Sequence, residues 1–427
     1  MDSQTRRTFV KASGGVLAAA LAGSKEALAQ NGGTPAVTYP AGRHTFVTRW
    51  PRYGTAEKQA LHALIDDGRF YDEAPKLEKE WCDYTKAPFS KSHCNGTSAL
   101  TSMFFALDLP PGSEILVPSY TFFATCLPMR FFQYVPVFID IDPKTACFDL
   151  DDAKRKLTAR TKALCVMHSW GLPCEMDKIA GFAKEKGLIL LEDAAHAHGA
   201  SMQGKAMGAW GAIGMYSFQT SKVLPSIEGG MGMYQTREYY ERAAAFGHYE
   251  DPPKFAADSP VRKYEGTGFG QKYRMHPLAA VIARQQLKSL DERNALVISQ
   301  VRKLNDRLTQ LPGLAEPRCR ADQKRVYYNA NMLLLDEKKA KIKRDDLVTA
   351  LKAEGVRAST WVYPEQHRYA IYAEAKWWHH PPVIPERMPG NDHINQTHLF
   401  LPLFHSEAPE LTGQYVKAFE KIWSRRG

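Results

Sequence analysis

Four short apolar runs set the terms for what this chain can fold into. Ile115 to Val117 ends at Pro118, Val135 to Ile139 ends at Asp140, Ala163 to Met167 ends at His168, and Leu188 to Leu191 ends at Glu192-Asp193. The runs are continuous and do not alternate with polar residues, so each asks to be covered on both faces. Between the last two, Met176 to Lys186 places Ile179, Phe182 and Ala183 on one side of a helix. Strands covered on both faces and joined by helices predict a mainly parallel sheet. The polar residues just past the strand ends mark the rim where such sheets bind ligands.

Further along, a helical pattern begins near Pro277, runs through Gln286 to about Leu308 and stops at Pro312-Gly313. A smaller α/β pattern follows, with a strand over Asn329 to Leu335, a helix over Arg344 to Glu354 and a terminal helix over Gln414 to Trp423. The expected fold class is therefore α/β, a large, mainly parallel-sheet domain (75–290) with a smaller C-terminal α/β domain (291–427). Residues 30–74 read as a linker and N-terminal segment, with 31–43 flexible. A chain of 427 residues with 44% hydrophobic and 24% charged content can supply cores of that size.

The first 29 residues read as a targeting segment, to be set aside before the fold is considered. Arg6 and Arg7 precede Thr8-Phe9-Val10-Lys11, a short apolar run spans Val16 to Leu21, and Ala27-Leu28-Ala29 offers small residues for a signal peptidase. Paired arginines in this setting resemble a twin-arginine export signal. The expected location is then periplasmic, or cytoplasmic if the signal does not function. The apolar run is too short for a stable membrane span. Seven cysteines, odd in number and without a C-x-x-C pair, read as buried thiols. The net charge of +10 comes from scattered residues. That pattern argues against nucleic-acid binding and fits a solvated basic surface or a funnel for an anionic substrate.

Several segments at the expected rim carry chemistry, each with a plain structural alternative. Gly96, Thr97 and Ser98 follow Asn95 at a helix start, where exposed amides hold a phosphate, or where Asn95 is an ordinary N-cap. Phe122 in Ser119-Tyr120-Thr121-Phe122-Phe123 lies at a strand exit, ready to stack on a ring or to pack in a core. Asp193 ends a strand, with His196 and His198 just beyond; a metal site there lacks a third ligand. Ser217 and Lys222 precede Glu228-Gly229-Gly230, and a lone lysine is ordinarily a surface residue. Gly266-Thr267-Gly268-Phe269-Gly270 has neither the strand nor the helix of a dinucleotide loop. The loop Trp377 to Pro382 reads as a packed surface loop before a substrate contact.

Taken together these residues match the needs of pyridoxal 5'-phosphate (PLP): an amine for the aldehyde, a carboxylate for the pyridine nitrogen, a flat side chain for the ring and amides for the phosphate. The chain resembles the DegT/StrS family of PLP-dependent sugar aminotransferases, fold type I, with the aspartate-aminotransferase-like fold. The resemblance rests on Gly96-Thr97-Ser98-Ala99-Leu100, Val117-Pro118-Ser119-Tyr120-Thr121-Phe122, Pro136 to Asp140, Glu192-Asp193-Ala194-Ala195-His196, Ser217-Phe218, Lys222, Glu228-Gly229-Gly230, Tyr273-Arg274-Met275 and Leu401-Pro402-Leu403. It implies that Thr97, Ser98 and Ser217 bind phosphate, Phe122 stacks on the pyridine, Asp193 pairs with its nitrogen and His196 lies close to the ring. Lys222 would hold the cofactor as a Schiff base. Arg274 would reach the phosphate of a neighbouring subunit, giving a homodimer with shared sites. The implied reaction moves an amino group from an amino-acid donor such as glutamate to a keto acceptor, a keto sugar or nucleotide-linked keto sugar. The alternatives are a PLP racemase, lyase or dehydratase acting on a periplasmic substrate, or a non-catalytic binding protein. Some members carry histidine in place of the lysine and dehydrate sugars, and Lys222 argues against that branch. Trp170, where tyrosine is common, and the segments 219–221 and 225–227 depart from the family pattern.

Overall fold

The four apolar runs lie side by side in one seven-stranded sheet of the computed structural model, which describes residues 33–363 and 365–425. The spatial order is Phe89–His93, Gly230–Tyr234, Ile213–Ser217, Ile189–Asp193, Thr161–Met167, Glu114–Pro118, Val135–Ile139. The five strands from Ile213–Ser217 onward are parallel, and the first two pair antiparallel at one edge. Neighbouring residues on a strand enter opposite cores, as the pleat requires. Leu116, Leu164, Val166 and Leu190 meet Trp81, Ile179 and Phe218 on one face. Ile115, Val117, Ala163, Cys165 and Leu191 meet Phe104 and Tyr234 on the other. Each fully buried Leu or Ile contributes roughly 1.5–3 kcal/mol. The expected export signal, residues 1–29, lies outside the described residues.

Phe89–His93 is a strand that polarity hides. Its Lys91 is buried because Glu78, at 3.2 Å, and Asp251, at 2.7 Å, flank the ammonium. Burial disfavours the charge, but the two carboxylates outweigh it and raise the lysine above its usual pKa.

A second sheet, antiparallel, joins Leu314–Ala315, Ala330–Leu335 and His398–Pro402. Helices Arg344–Ala353 and Pro409–Trp423 supply Leu347, Leu351 and Phe419 to a core shared with Leu333 and Leu399. The long helical pattern is two helices, Pro277–Lys288 and Leu290–Leu308, parted at Ser289, which leaves helical geometry at φ −107° and ψ 8°.

The expected flexible linker is tied down from Ala36 onward. The Ala36 amide donates to Glu354 Oε2 at 2.9 Å, the Val37 amide to the Glu354 carbonyl at 3.0 Å, and the Tyr39 amide to Gln414 Oε1 at 2.9 Å. Two helices, Ala41–Thr48 and Thr55–Asp67, follow. The arm therefore clamps the second sheet's layer before crossing to the first.

No disulfide forms. Cys126, Cys147, Cys165 and Cys174 are buried, whereas Cys82 and Cys94 are half-buried and Cys319 is exposed, so the expectation of buried thiols holds for four of the seven. Among the described residues, no helix is long and apolar enough to cross a membrane. In the loop after Ala375, Trp378 is buried and stacks on Tyr372 at 5.3 Å, making it a core residue.

Candidate active site

The carboxyl ends of the parallel strands bring Pro118, Met167, Asp193 and Ser217 to one rim, where the helix Gly96–Leu107 also begins. That helix reaches the sheet because residue 96 has no side chain: a Cβ there would sit 2.7 Å from Ser217 Cβ. Gly230 is needed for the same reason, since its Cβ would come within 2.5 Å of the Asn95 carbonyl oxygen. Asn95 caps the helix, its Oδ1 accepting the Ser98 amide at 2.8 Å and the Ser98 hydroxyl at 3.0 Å. Ser98, a candidate for the phosphate, thus spends both donors on the cap. The amides of Gly96 and Thr97 open the helix beside the Ser217 hydroxyl, and a helix start of this kind suits an anion.

Asp193 is buried, and each of its oxygens is engaged once. Oδ1 accepts the Ala195 amide at 3.0 Å, and Oδ2 accepts the Thr125 hydroxyl at 2.7 Å. Because the Thr125 proton goes to Asp193, the hydroxyl of Thr121, 2.7 Å away, donates to Thr125 in turn. A carboxylate accepts about four hydrogen bonds, so lone pairs remain for a ring N–H.

The two histidines beyond Asp193 do different things. His198 Nε2 lies 2.9 Å from the Ser217 carbonyl. A carbonyl only accepts, so the proton is on Nε2. Burial, then the nearby Lys222 charge, lowers the His198 pKa to about 3, leaving the ring neutral. His196 stacks on Tyr328 at 3.8 Å and 17°, with its Nδ1 buried and without a partner. Burial followed by Lys222 and His198 holds it well below its usual pKa. No group of three metal-ligating side chains occurs among the described residues.

Lys222 lies in an irregular turn between the strands Ile213–Ser217 and Gly230–Tyr234, half-buried. Its ammonium sits 4.6 Å above the ring of Tyr328, whose hydroxyl lies 3.1 Å from Ser221 Oγ. Sequence reasoning overlooked Tyr328, which precedes a strand by two residues and carries no motif. It overlooked Thr125 too. Behind Tyr328 an aromatic wall continues through Trp170, Trp361 and Tyr363. Trp170 is buried at φ 56°, a left-handed conformation rare for a bulky residue, and its indole N–H donates to Tyr120 Oη at 3.3 Å.

Phe122 is 43% exposed, with Phe123 beside it at 4.2 Å, so a flat apolar face stands open next to the rim. Arg274 is placed differently. Its guanidinium pairs with Glu250 at 2.9 Å and donates to Tyr249 Oη at 3.1 Å over the ring of Tyr71. The segment Gly268–Gly270 is a short 3-10 turn with Phe269 at φ 52°.

These features fit PLP. Its phosphate matches the amide edge that a Cβ at residue 96 would obstruct, its ring nitrogen matches Asp193, and its ring face matches the open Phe122. The orphaned Nδ1 of His196 gives the ring's polar substituents a partner.

Residues 51–419 match the DegT/DnrJ/EryC1/StrS aminotransferase family. L-Glutamine:scyllo-inosose aminotransferase of Streptomyces griseus is 30% identical over 321 residues, 72% of this chain and 75% of that one. L-Glutamine:2-deoxy-scyllo-inosose aminotransferase of Streptoalloteichus tenebrarius is 29% identical over 364 residues, 82% of this chain and 84% of that one. Among solved structures, 3-amino-5-hydroxybenzoic acid synthase superposes with a TM-score of 0.74 at 26% identity, covering 88% of this chain and 98% of that one. An aminotransferase from Psychrobacter cryohalolentis, at 24% identity, shares the fold with a TM-score of 0.80 over 89% of this chain and 99% of that one.

Gly96→Ala tests the cradle. The added methyl must displace Ser217 or the helix start, so PLP affinity should fall by about tenfold or more while far-ultraviolet circular dichroism is unchanged. Titration of the cofactor-free protein with PLP measures it.

Proposed function

This chain belongs to the DegT/DnrJ/EryC1/StrS aminotransferase family, and from that premise we propose that it transfers an amino group from L-glutamine to a cyclic polyhydroxylated ketone. The observation that carries the reading is the placement of the Lys222 amine on the same strand-end rim as Asp193 and the bare helix start at Gly96. The acceptor class follows the relatives, two of which are named for scyllo-inosose or its 2-deoxy form, and the same names shift the expected donor from glutamate to glutamine. The half-buried Tyr328 beside Lys222 suits it as well, since a flat ring packs against the C–H face of a ring polyol.

PLP, when bound, supplies an aldehyde that condenses with amines and a ring that draws electrons from the adjoining carbon. The chain's own residues supply position and proton transfer. The Gly96 and Thr97 amides and the Ser217 hydroxyl hold the phosphate dianion. Phe122 covers one ring face. Asp193, whose oxygens each accept one hydrogen bond and keep a lone pair free, would pair with the pyridine nitrogen and favour its protonated form. Lys222 Nζ would supply the amine that holds the aldehyde and, once free, the base that takes a proton from the substrate and returns one to it. The neutral His196 orients without adding charge.

Two finer readings accompany this. The active unit is a homodimer in which Arg274 reaches the partner's phosphate. A guanidinium makes paired bonds to phosphate oxygens, and Glu250, 56% exposed, is a weak competitor for it. The enzyme is exported by the twin-arginine route to the periplasm. The Arg6-Arg7 pair and the following apolar run support this, and a protein without disulfides loses nothing by folding before export.

Borohydride reduction followed by peptide mapping should place the cofactor on Lys222, and Lys222→Ala should cost about 10²–10⁴-fold in transamination. L-Glutamine should convert the bound cofactor to its amine form fastest in an absorbance screen of amino-acid donors; a glutamine-inert enzyme would reject the donor. Mixing Arg274→Ala with Lys222→Ala protein should restore activity on subunit exchange, because one site of the mixed dimer then carries neither defect; no recovery in demonstrated heterodimers counts against a shared site. Arg6→Lys with Arg7→Lys should strand the protein in the cytoplasm although charge is kept, and fractionation reads the outcome.

A further inference from the structure

The backbone of Lys222 is not held by the sheet. The Lys222 amide donates to the Gln219 carbonyl at 2.8 Å within the turn, but its carbonyl points out of the turn and needs a donor from elsewhere. That donor is the indole N–H of Trp50, at 3.0 Å, from a segment 172 positions earlier. The indole is itself fixed. His405 stacks on it with ring centroids 4.6 Å apart and an interplanar angle of 23°, and the Arg293 guanidinium lies 5.8 Å from its ring centre. Two backbone clamps bracket it: the His405 amide donates to the Val47 carbonyl at 2.9 Å, and Gln286 Nε2 donates to the Arg52 carbonyl at 3.1 Å. His405 meets the indole as a neutral ring, because burial, with Arg52 and Arg293 adding to it, lowers its pKa to about 3.

We propose that Trp50 is a positioning residue for the reaction: its N–H anchors the carbonyl of Lys222, so that the lysine amine returns to one place each time it is released. The proposal rests on Lys222 being the cofactor lysine. In the resting enzyme a covalent link to the cofactor would also hold that side chain. Once released, the amine would swing free, and the backbone would then chiefly fix its reach. Tyr328 beneath the ammonium is a second, softer guide. A displacement of about 1 Å in a proton-transferring group is enough to slow a step substantially. The anchor should therefore matter to turnover more than to binding.

The experiment uses the holoenzyme. W50F keeps an aromatic ring for His405 and removes only the N–H. Expected is a roughly tenfold fall in kcat per bound cofactor, with the KM for donor and the affinity for PLP within about twofold of wild type. The visible circular dichroism of the bound cofactor should shrink, because a loosened lysine leaves the ring in several orientations. H405A keeps the N–H but removes the stack, and should give a smaller change of the same kind. The double variant should be no worse than W50F, since both act on one contact. A W50F enzyme with wild-type kcat per bound cofactor and wild-type visible dichroism overturns the proposal, whatever its thermal stability. So does a fall in activity that merely tracks lost folded protein. Peptide mapping of borohydride-reduced wild type separates the two levels. Label on another lysine sinks the cofactor assignment itself, whereas label on Lys222 with an indifferent W50F sinks only the anchor.

Discussion

The helix that starts at Gly96 can touch the sheet only because nothing projects from that residue. With 2.7 Å between a would-be Cβ and Ser217, the helix start and the strand end are in van der Waals contact through bare backbone. This contact sets the distance between the amide edge and the strand ends, and hence between a phosphate and everything that must meet the rest of a ring. Gly230 makes the matching approach to Asn95 from the antiparallel edge. Two missing side chains thus decide how closely three elements converge. The packing of both sheet faces, which accounts for most of the buried surface, keeps them there.

Polar groups at the rim form a chain with few choices left open. Asp193 takes one proton donor on each oxygen, Thr125 passes the demand to Thr121, and His198 has its tautomer fixed by a carbonyl. Both histidines are held neutral by burial next to a lysine, so neither adds positive charge beside Asp193. In that setting the carboxylate can favour a positive ring nitrogen without competition from a nearby imidazolium.

Much of this was legible in the sequence, for definite reasons. Strands buried on both faces announce themselves as unbroken apolar runs, and Met176–Lys186 was readable to the residue because its apolar spacing and the following Gly187 agree. Asp193 and Phe122 stood out in the sequence because each ends or follows such a run, and Gly96, Ser217 and Lys222 because of the resemblance to the family. Phe89–His93 was not legible, since a buried lysine looks exposed until its partners from residues 78 and 251 are in place. The arm looked like a linker because its bonds run to Glu354 and Gln414, more than 300 positions away. Tyr328 and Thr125 lacked any pattern of their own; their roles exist only through what the fold sets beside them. Ser98 could be read two ways because a hydroxyl at a helix start serves a cap or a ligand equally well, and its bonds to Asn95 appear only in the fold.

The stacking of Trp50 on His405 has a consequence in time. It joins two residues 355 positions apart, and the second lies close to the carboxyl end. During synthesis the seven-stranded sheet, complete by Tyr234, can assemble while the ribosome is still adding the second domain. The indole that meets the Lys222 turn cannot acquire its stacking partner until His405 has emerged. A nascent chain of this protein would therefore pass through a stage in which the helix start at Gly96 is packed on the sheet while the Trp50 indole still lacks its stacking partner.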